Sequence, residues 1–287
     1  MKRTFAALAV TAALLVTASG SQAAHSATHP RFAYDRNKPL DLRLGTAQSS
    51  GGVVRQRLTF DAGRGPKTGY WTHPDGRGPW PVVLLSPGSG GDATSQLPDA
   101  DRLARRGLAS LTVDPPRVLW VCRAKADVQT YSAYVVGRRR ALDLISHLPG
   151  ADSSRIAAVG FSFGSAVTAA LAGVDHRLRG AVIQSGRAHL SAPIAAACAP
   201  QLGPRKTKAY RRAYSAIDPV YYIPRAAPAS LLFQNGTRDP ISPRADVAAY
   251  VRAASTPKEA RTYPAGHELD QQARVDLDNW LVQLLTR

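Results

Sequence analysis

Gly160-Phe161-Ser162-Phe163-Gly164 follows the apolar run Ile156-Ala157-Ala158-Val159 and precedes Ser165-Ala166-Val167-Thr168-Ala169-Ala170-Leu171-Ala172, a stretch of small, helix-compatible residues. A buried strand, a G-x-S-x-G pentapeptide and a small-residue helix predict a nucleophile elbow, a strained strand-to-helix turn with a serine at its apex. Glycine two residues to either side leaves room where a side chain would meet the neighbouring strand or the turn itself. The turn lifts the Ser162 hydroxyl clear of the sheet and close to a helix N-terminus, whose positive potential favours an oxyanion. The pentapeptide alone also occurs at ordinary strand–glycine–helix junctions, so its flanks carry the weight.

A serine hydroxyl is a poor nucleophile until a base takes its proton. In this arrangement the acid and the histidine are expected downstream, in that order, each after its own strand. Ala229 to Gln234 reads as a strand, and the turn-rich Asn235-Gly236-Thr237-Arg238-Asp239-Pro240 places Asp239 just past its end. Glu259 to Tyr263 makes a final short strand, followed by Pro264-Ala265-Gly266-His267. Taken singly, Asp239 is a turn former before proline and His267 a surface-loop histidine. The ordered set of Ser162, Asp239 and His267 gives each a catalytic role. His176 and His189 fall in a helix–strand connection and at the start of a long insertion, and Glu268 and Asp270 lie too near His267 in sequence to reach around its ring easily.

An oxyanion site needs two free N–H groups. One is expected from Phe163, the residue after the nucleophile. The other is expected from the glycine-rich loop Ser86-Pro87-Gly88-Ser89-Gly90-Gly91-Asp92 that follows the apolar strand Pro81 to Leu85, with Ser89 as the donor. The glycines also admit a phosphate-binding loop, but no Gly-Lys-Ser/Thr follows them.

These residues resemble the α/β-hydrolase superfamily, and within it the dienelactone-hydrolase-like branch. The similarity runs from Ala141-Leu142-Asp143-Leu144 through the elbow, then Asn235 to Asp239 and Gly266-His267-Glu268-Leu269, and covers roughly residues 50–287. Leu85 to Ser89 and Leu103 to Leu108 are also similar to bacterial cutinases and polyester hydrolases, in which the residue matching Ser89 supplies an oxyanion N–H. The chain departs from the cutinases at Gly164-Ser165, where they usually carry Gly-Gly, and at Ser89, where they often carry an aromatic. Dienelactone hydrolases proper use cysteine where this chain has Ser162, so their substrate does not carry over. The resemblance implies a mostly parallel central sheet with helices on both faces. It also implies an insertion before the acid-bearing strand, residues 186–228, read as a cap over the site or as a surface excursion.

Lys2-Arg3, the apolar stretch Phe5 to Val16 and the small, polar run ending at Ala23 have the layout of a signal peptide over residues 1–23. The apolar stretch is shorter than the about 20 residues that a spanning helix needs, and there is no lipobox cysteine. A secreted, extracellular protein without a transmembrane anchor is expected; a retained N-terminal anchor is the alternative. Residues 24–50 are expected to be irregular and residues 51–287 to form the hydrolase domain. A secreted chain with only Cys122 and Cys198 invites a disulfide between them, since both follow strands at the edge expected to carry Ser162; two separate buried thiols are the alternative.

The formal charge is +17, from 37 basic and 20 acidic residues. The arginine excess, with the high alanine, reads first as a GC-rich genome, and second as an attraction to anionic surfaces. The basic residues are scattered and form no nucleic-acid-binding module. Seven histidines and two cysteines show no metal-ligand spacing, and no cofactor motif is present. Together these residues imply a monomeric serine esterase that cleaves carboxylic esters, small or polymeric, through an acyl-enzyme. A cutinase-like polyester hydrolase or lipase is the second reading, and a non-catalytic α/β-hydrolase-fold binding protein the third.

Overall fold

Short apolar runs separated by helical stretches build one sheet in the computed structural model, which describes residues 30–287. Its strands are β1 (Arg43–Ser50), β2 (Val53–Asp61), β3 (Pro66–Pro74), β4 (Trp80–Ser86), β5 (Ala109–Val113), β6 (Ala151–Phe161), β7 (Leu178–Gln184), β8 (Ser230–Gly236) and β9 (Lys258–Tyr263). The order across the sheet is β1-β2-β3-β5-β4-β6-β7-β8-β9. The first three strands and the β3–β5 pair are antiparallel; from β5 to β9 every pair is parallel. Parallel strands need helical crossovers that cover both faces. Here α1 (Leu97–Ala104), α2 (Ala124–Ile145), α3 (Phe163–Val174), α4 (Ser191–Tyr214) and α5 (Arg244–Ala253) lie in the connections between successive parallel strands, and α6 (Gln271–Leu285) follows β9.

Alternate strand residues feed opposite layers. Val83, Leu85, Ala157, Val159, Val182 and Leu232 pack with Leu103 of α1 and with Leu277, Trp280 and Leu281 of α6. Leu84, Leu111, Ala158, Ile183, Leu231 and Phe233 pack with α2, α3 and Tyr250 of α5. In α6, Val275 is exposed and Leu285 is buried in the layer with Leu277 and Leu281.

Residues 1–23, where the signal peptide is expected, lie outside the described residues, as do residues 24–29. Within the segment expected to be irregular, Arg43–Ser50 forms β1, paired with β2, so the sheet begins before residue 51. Every residue of β1 is exposed, so it has no buried face to impose an apolar alternation. The stretch 186–228 contains α4, which has a non-helical residue, Gly203 (φ +69°, ψ +168°), between Pro200 and Pro204. These three residues hide its helical period. Ile194, Cys198, Tyr210 and Tyr214 of α4 are buried with Tyr131, Val135, Phe163 and Val167 of α2 and α3.

Candidate active site

Strand β6 ends with Gly160 beside Ser86 of β4 and Phe161 beside Gln184 of β7, and α3 starts at Phe163. Ser162, between them, has φ +53° and ψ −117°, a conformation that costs a non-glycine residue about 1–3 kcal/mol. Its N–H donates to the Gln184 carbonyl (2.9 Å), and its carbonyl accepts from the Ser165 N–H (3.0 Å) and hydroxyl (2.6 Å). A Cβ on Gly160 would lie 2.2 Å from the Gly164 carbonyl oxygen, and one on Gly164 2.2 Å from the Ser86 carbonyl oxygen. The two glycines therefore allow the turn to pack backbone against backbone on the end of β4. A serine before a helix ordinarily caps it. Ser162 makes no such bond; its Oγ lies 2.8 Å from Nε2 of His267.

His267, four residues past β9, holds Oδ2 of Asp239 at 2.8 Å from its Nδ1. Asp239 follows β8, and its other oxygen accepts from the N–H groups of Ile241 (2.8 Å) and Ser242 (3.1 Å). Burial pushes the Asp239 carboxyl up. The His267 hydrogen bond, the two N–H donors and the charge of His267 outweigh it, so the group sits below the usual carboxylate range. Ser185, just past β7, joins the two loops: its hydroxyl donates to the His267 carbonyl (2.6 Å), and its carbonyl accepts from the Ser242 hydroxyl (2.9 Å). The Phe161 ring lies against the imidazole at 5.2 Å between centroids. Asp270 is engaged elsewhere, accepting from the Ala273 N–H (2.9 Å) as the N-cap of α6, and Glu268 is exposed.

The loop after β4 lies directly over the serine. A Cβ on Gly88 would touch Cβ of Ser162 at 3.3 Å and the Phe161 ring at 3.1 Å. The Gly91 N–H turns back to the Gly88 carbonyl (3.2 Å), leaving Ser89 exposed at the tip. Phe163 is the first residue of α3, where an N–H has no intrahelical acceptor. Beneath the loop, Arg138 of α2 donates from Nε to the Ser86 hydroxyl (3.0 Å) and from Nη2 to the Val113 carbonyl (2.8 Å), pinning the ends of β4 and β5. Arg138, Arg139 and Arg140 are all buried. In the sequence this run in mid-helix has no signal of burial, because its partners are carbonyls and acids remote along the chain.

Cys122 and Cys198 form a disulfide that ties the loop after β5 to α4. Trp120 of that loop reaches the Phe163 ring at 5.9 Å. Asp127 adds a second tie, accepting from Val121 N–H, Arg123 N–H and the Tyr210 hydroxyl. Among the described residues, no group of three or more His, Cys, Asp or Glu side chains is placed to hold a metal, and no helix is long and apolar enough to cross a membrane.

A serine hydroxyl within reach of an imidazole, itself oriented by a buried carboxylate, is an arrangement suited to nucleophilic attack on a carbonyl. The structure superposes on the acetyl xylan esterase from Paenibacillus sp. R4 with a TM-score of 0.76 and 22% identity, covering 86% of this chain and 90% of that one. For acetyl xylan esterase 1 from Thermoanaerobacterium sp. JW/SL YS485 the TM-score is 0.71 with 16% identity, covering 85% and 88%. The architecture is the α/β-hydrolase fold. In sequence, the chain is 34% identical over 127 residues to Esterase FrsA of Escherichia coli O157:H7, and 33% identical over 127 residues to that of Escherichia fergusonii. Each alignment spans 44% of this chain and 30% of the relative. The model of the esterase FrsA-like family matches residues 44–192, which include the glycine-rich loop and the elbow but neither Asp239 nor His267. With more than half of its length under that model, this chain belongs to the FrsA-like esterase family.

Proposed function

We propose that the protein is a secreted serine esterase that hydrolyses carboxylic esters through an acyl-enzyme. The observation that carries this is the hydrogen-bonded series Asp239–His267–Ser162, with 2.8 Å at both contacts. His267 takes the Ser162 proton as Oγ attacks the ester carbonyl. Asp239 orients the ring and stabilises its charged form. The N–H groups of Phe163 and Ser89 receive the oxyanion. His267 then protonates the leaving alcohol, and water activated by the same ring releases the acid. No metal or cofactor enters these steps.

Residues 186–228 wall the site on one side, a role supported by the disulfide to the loop that carries Trp120. The exposed cations of α4, Arg205, Lys206, Lys208, Arg211 and Arg212, have no acidic ion-pair partner among the described residues and support attraction to anionic surfaces outside the cell. The protein acts as a monomer. A polyester or lipid substrate is the second reading, supported by Val118, Val121 and Ile241, which are 59%, 45% and 50% exposed on the loops after β5 and β8.

The test is a panel of p-nitrophenyl esters of rising acyl length, with an amide, acetylated xylan and a polyester film, together with fluorophosphonate labelling. Turnover of short esters with labelling at Ser162 is expected. Hydrolysis without labelling at Ser162 overturns the assignment, and release from the film above that from soluble esters favours the second reading.

A further inference from the structure

A cavity of about 320 Å³ lies between the N-terminal half of α2, the end of β5 and the turn joining β2 to β3. Its lining carries Arg64, Lys67 and Arg138 against a single acid, Asp114. Arg138 is 1% exposed, and each of its bonds goes to a neutral acceptor: Ser86 Oγ, the Val113 carbonyl and the Tyr134 hydroxyl. Its Nη1 has no hydrogen-bond partner among the described residues, and no carboxylate lies within ion-pair distance of Arg64, Lys67 or Arg138. Tyr134, 3% exposed, accepts from Arg138 and keeps its own hydroxyl hydrogen free. Lys67 donates only to the Pro115 carbonyl (3.1 Å), and Asp114 spends one oxygen on the Ala93 N–H (3.0 Å). A buried cation without an anion is unfavourable, and three donors converging on one cavity supply what a carboxylate requires.

A second cavity, of about 460 Å³, shares Lys67, Asp114 and Pro116 with the first and continues to Gly90 and Gly91 of the loop over Ser162. Strand β5 is two places from β6 across the sheet, with β4 between them, so the end of β5 lies about 10 Å from the end of β6.

We propose that this cavity is a subsite for a carboxylate carried by the ester substrate, roughly 10 Å from the scissile carbonyl, received by Arg138, Lys67 and Tyr134. The proposal rests on the esterase reading for the identity of the ligand, but the anion site stands on its own geometry. Burial, with Arg138 and Arg117 acting the same way and Asp114 opposing, holds the Lys67 ammonium below its ordinary range, a shift that a bound anion would reverse.

The experiment compares p-nitrophenyl hydrogen suberate with its methyl ester, which has the same length and no charge. It also measures suberate binding to Ser162→Ala by calorimetry. The expected result is a kcat/KM higher by roughly tenfold or more for the charged ester, carried by KM, screened by salt, and lost in Lys67→Gln and Arg138→Gln. Suberate should bind Ser162→Ala and fail to bind the Lys67→Gln, Ser162→Ala double variant. Because Arg138 also braces β4 and β5, Lys67→Gln carries the test if Arg138→Gln does not fold. Equal turnover of the two esters without suberate binding overturns the subsite and leaves the esterase intact. Suberate binding without preference for the charged ester overturns its assignment to substrate. Suberate binding in a protein that hydrolyses no ester overturns the esterase and leaves the anion site.

Discussion

The elbow carries Phe163 and the segment between β7 and β8 packs in the same buried cluster with it, yet the two are held by different means. At the elbow the backbone has no freedom: the glycines lie against carbonyls of α3 and β4, the Ser162 N–H and carbonyl are both bonded, and every residue of α3 is buried. The insertion is held by a disulfide, by the Asp127–Tyr210 bond and by apolar side chains of α4 buried against α2 and α3, and it is braced internally by Asp218, which accepts from Leu190 N–H, Ser191 N–H and the Ser191 hydroxyl. Its helix is interrupted at Gly203, and its outer face is cationic and exposed. The difference teaches that the elbow's geometry is fixed backbone against backbone, while the insertion is attached to the same core through side chains and one covalent bond.

The sharpest way to break this contrast is Ser162→Ala, which should lower kcat by about 10⁴-fold or more and leave the melting temperature nearly unchanged. A folded variant with near-normal turnover would remove Ser162 from the chemistry. Next, Asp239→Asn should lower kcat by about 10³–10⁴-fold by favouring the wrong imidazole tautomer. Asp270→Ala, which removes only the cap of α6, should lose about 1 kcal/mol of stability and little rate. The reverse pattern would transfer the acid's role to Asp270.

Replacing both Cys122 and Cys198 by serine opens a loop with a sequence separation of 76 residues. Denaturant unfolding should lose up to about 4.5 kcal/mol, while turnover of a small soluble ester stays within an order of magnitude. A collapse of turnover in the folded variant would make the insertion part of the catalytic geometry. Smaller still are two single methyl groups. Gly160→Ala forces a contact with backbone and should destabilise by about 3 kcal/mol with loss of rate, whereas Gly203→Ala meets nothing within 4 Å and should lose about 1–3 kcal/mol through its glycine-only backbone conformation alone, with no loss of rate. The mildest effect is in acid. Asp239 has a folded pKa below its unfolded value of about 3.9, so the stability it contributes is full above that pH and is lost as pH falls through the folded value. Acid unfolding of Asp239→Asn should therefore be less steep below about pH 4 than that of the parent; identical slopes would mean that the carboxylate is not engaged.

Much of the candidate site was legible because Ser162, Asp239 and His267 each follow a strand, in an order that parallel topology makes meaningful. What was not legible has physical reasons in particular residues. Strand β1 has no buried face, so its sequence carries no alternation. Helix α4 contains Pro200, Gly203 and Pro204, which read as loop. Arg140 is buried because carbonyls of Lys38, Pro39 and Asp61 surround its guanidinium, and no local pattern announces partners about a hundred residues away. Ser185, which joins the histidine loop to the aspartate loop, is one hydroxyl just past a strand, indistinguishable in sequence from any turn serine.

Among the described residues the sheet has two free margins, and each is poorly suited to acquiring another strand. At β1 the register with β2 shifts between Leu44 and Ala47, so a partner added outside would face an irregular ladder with no apolar face to bury. At β9 the outer strand carries Lys258, Glu259 and Arg261, charges that an added backbone would have to accommodate at close range. Each margin offers a row of unsatisfied edge groups to other chains; a bulge on one and charge on the other disfavour edge-to-edge aggregation.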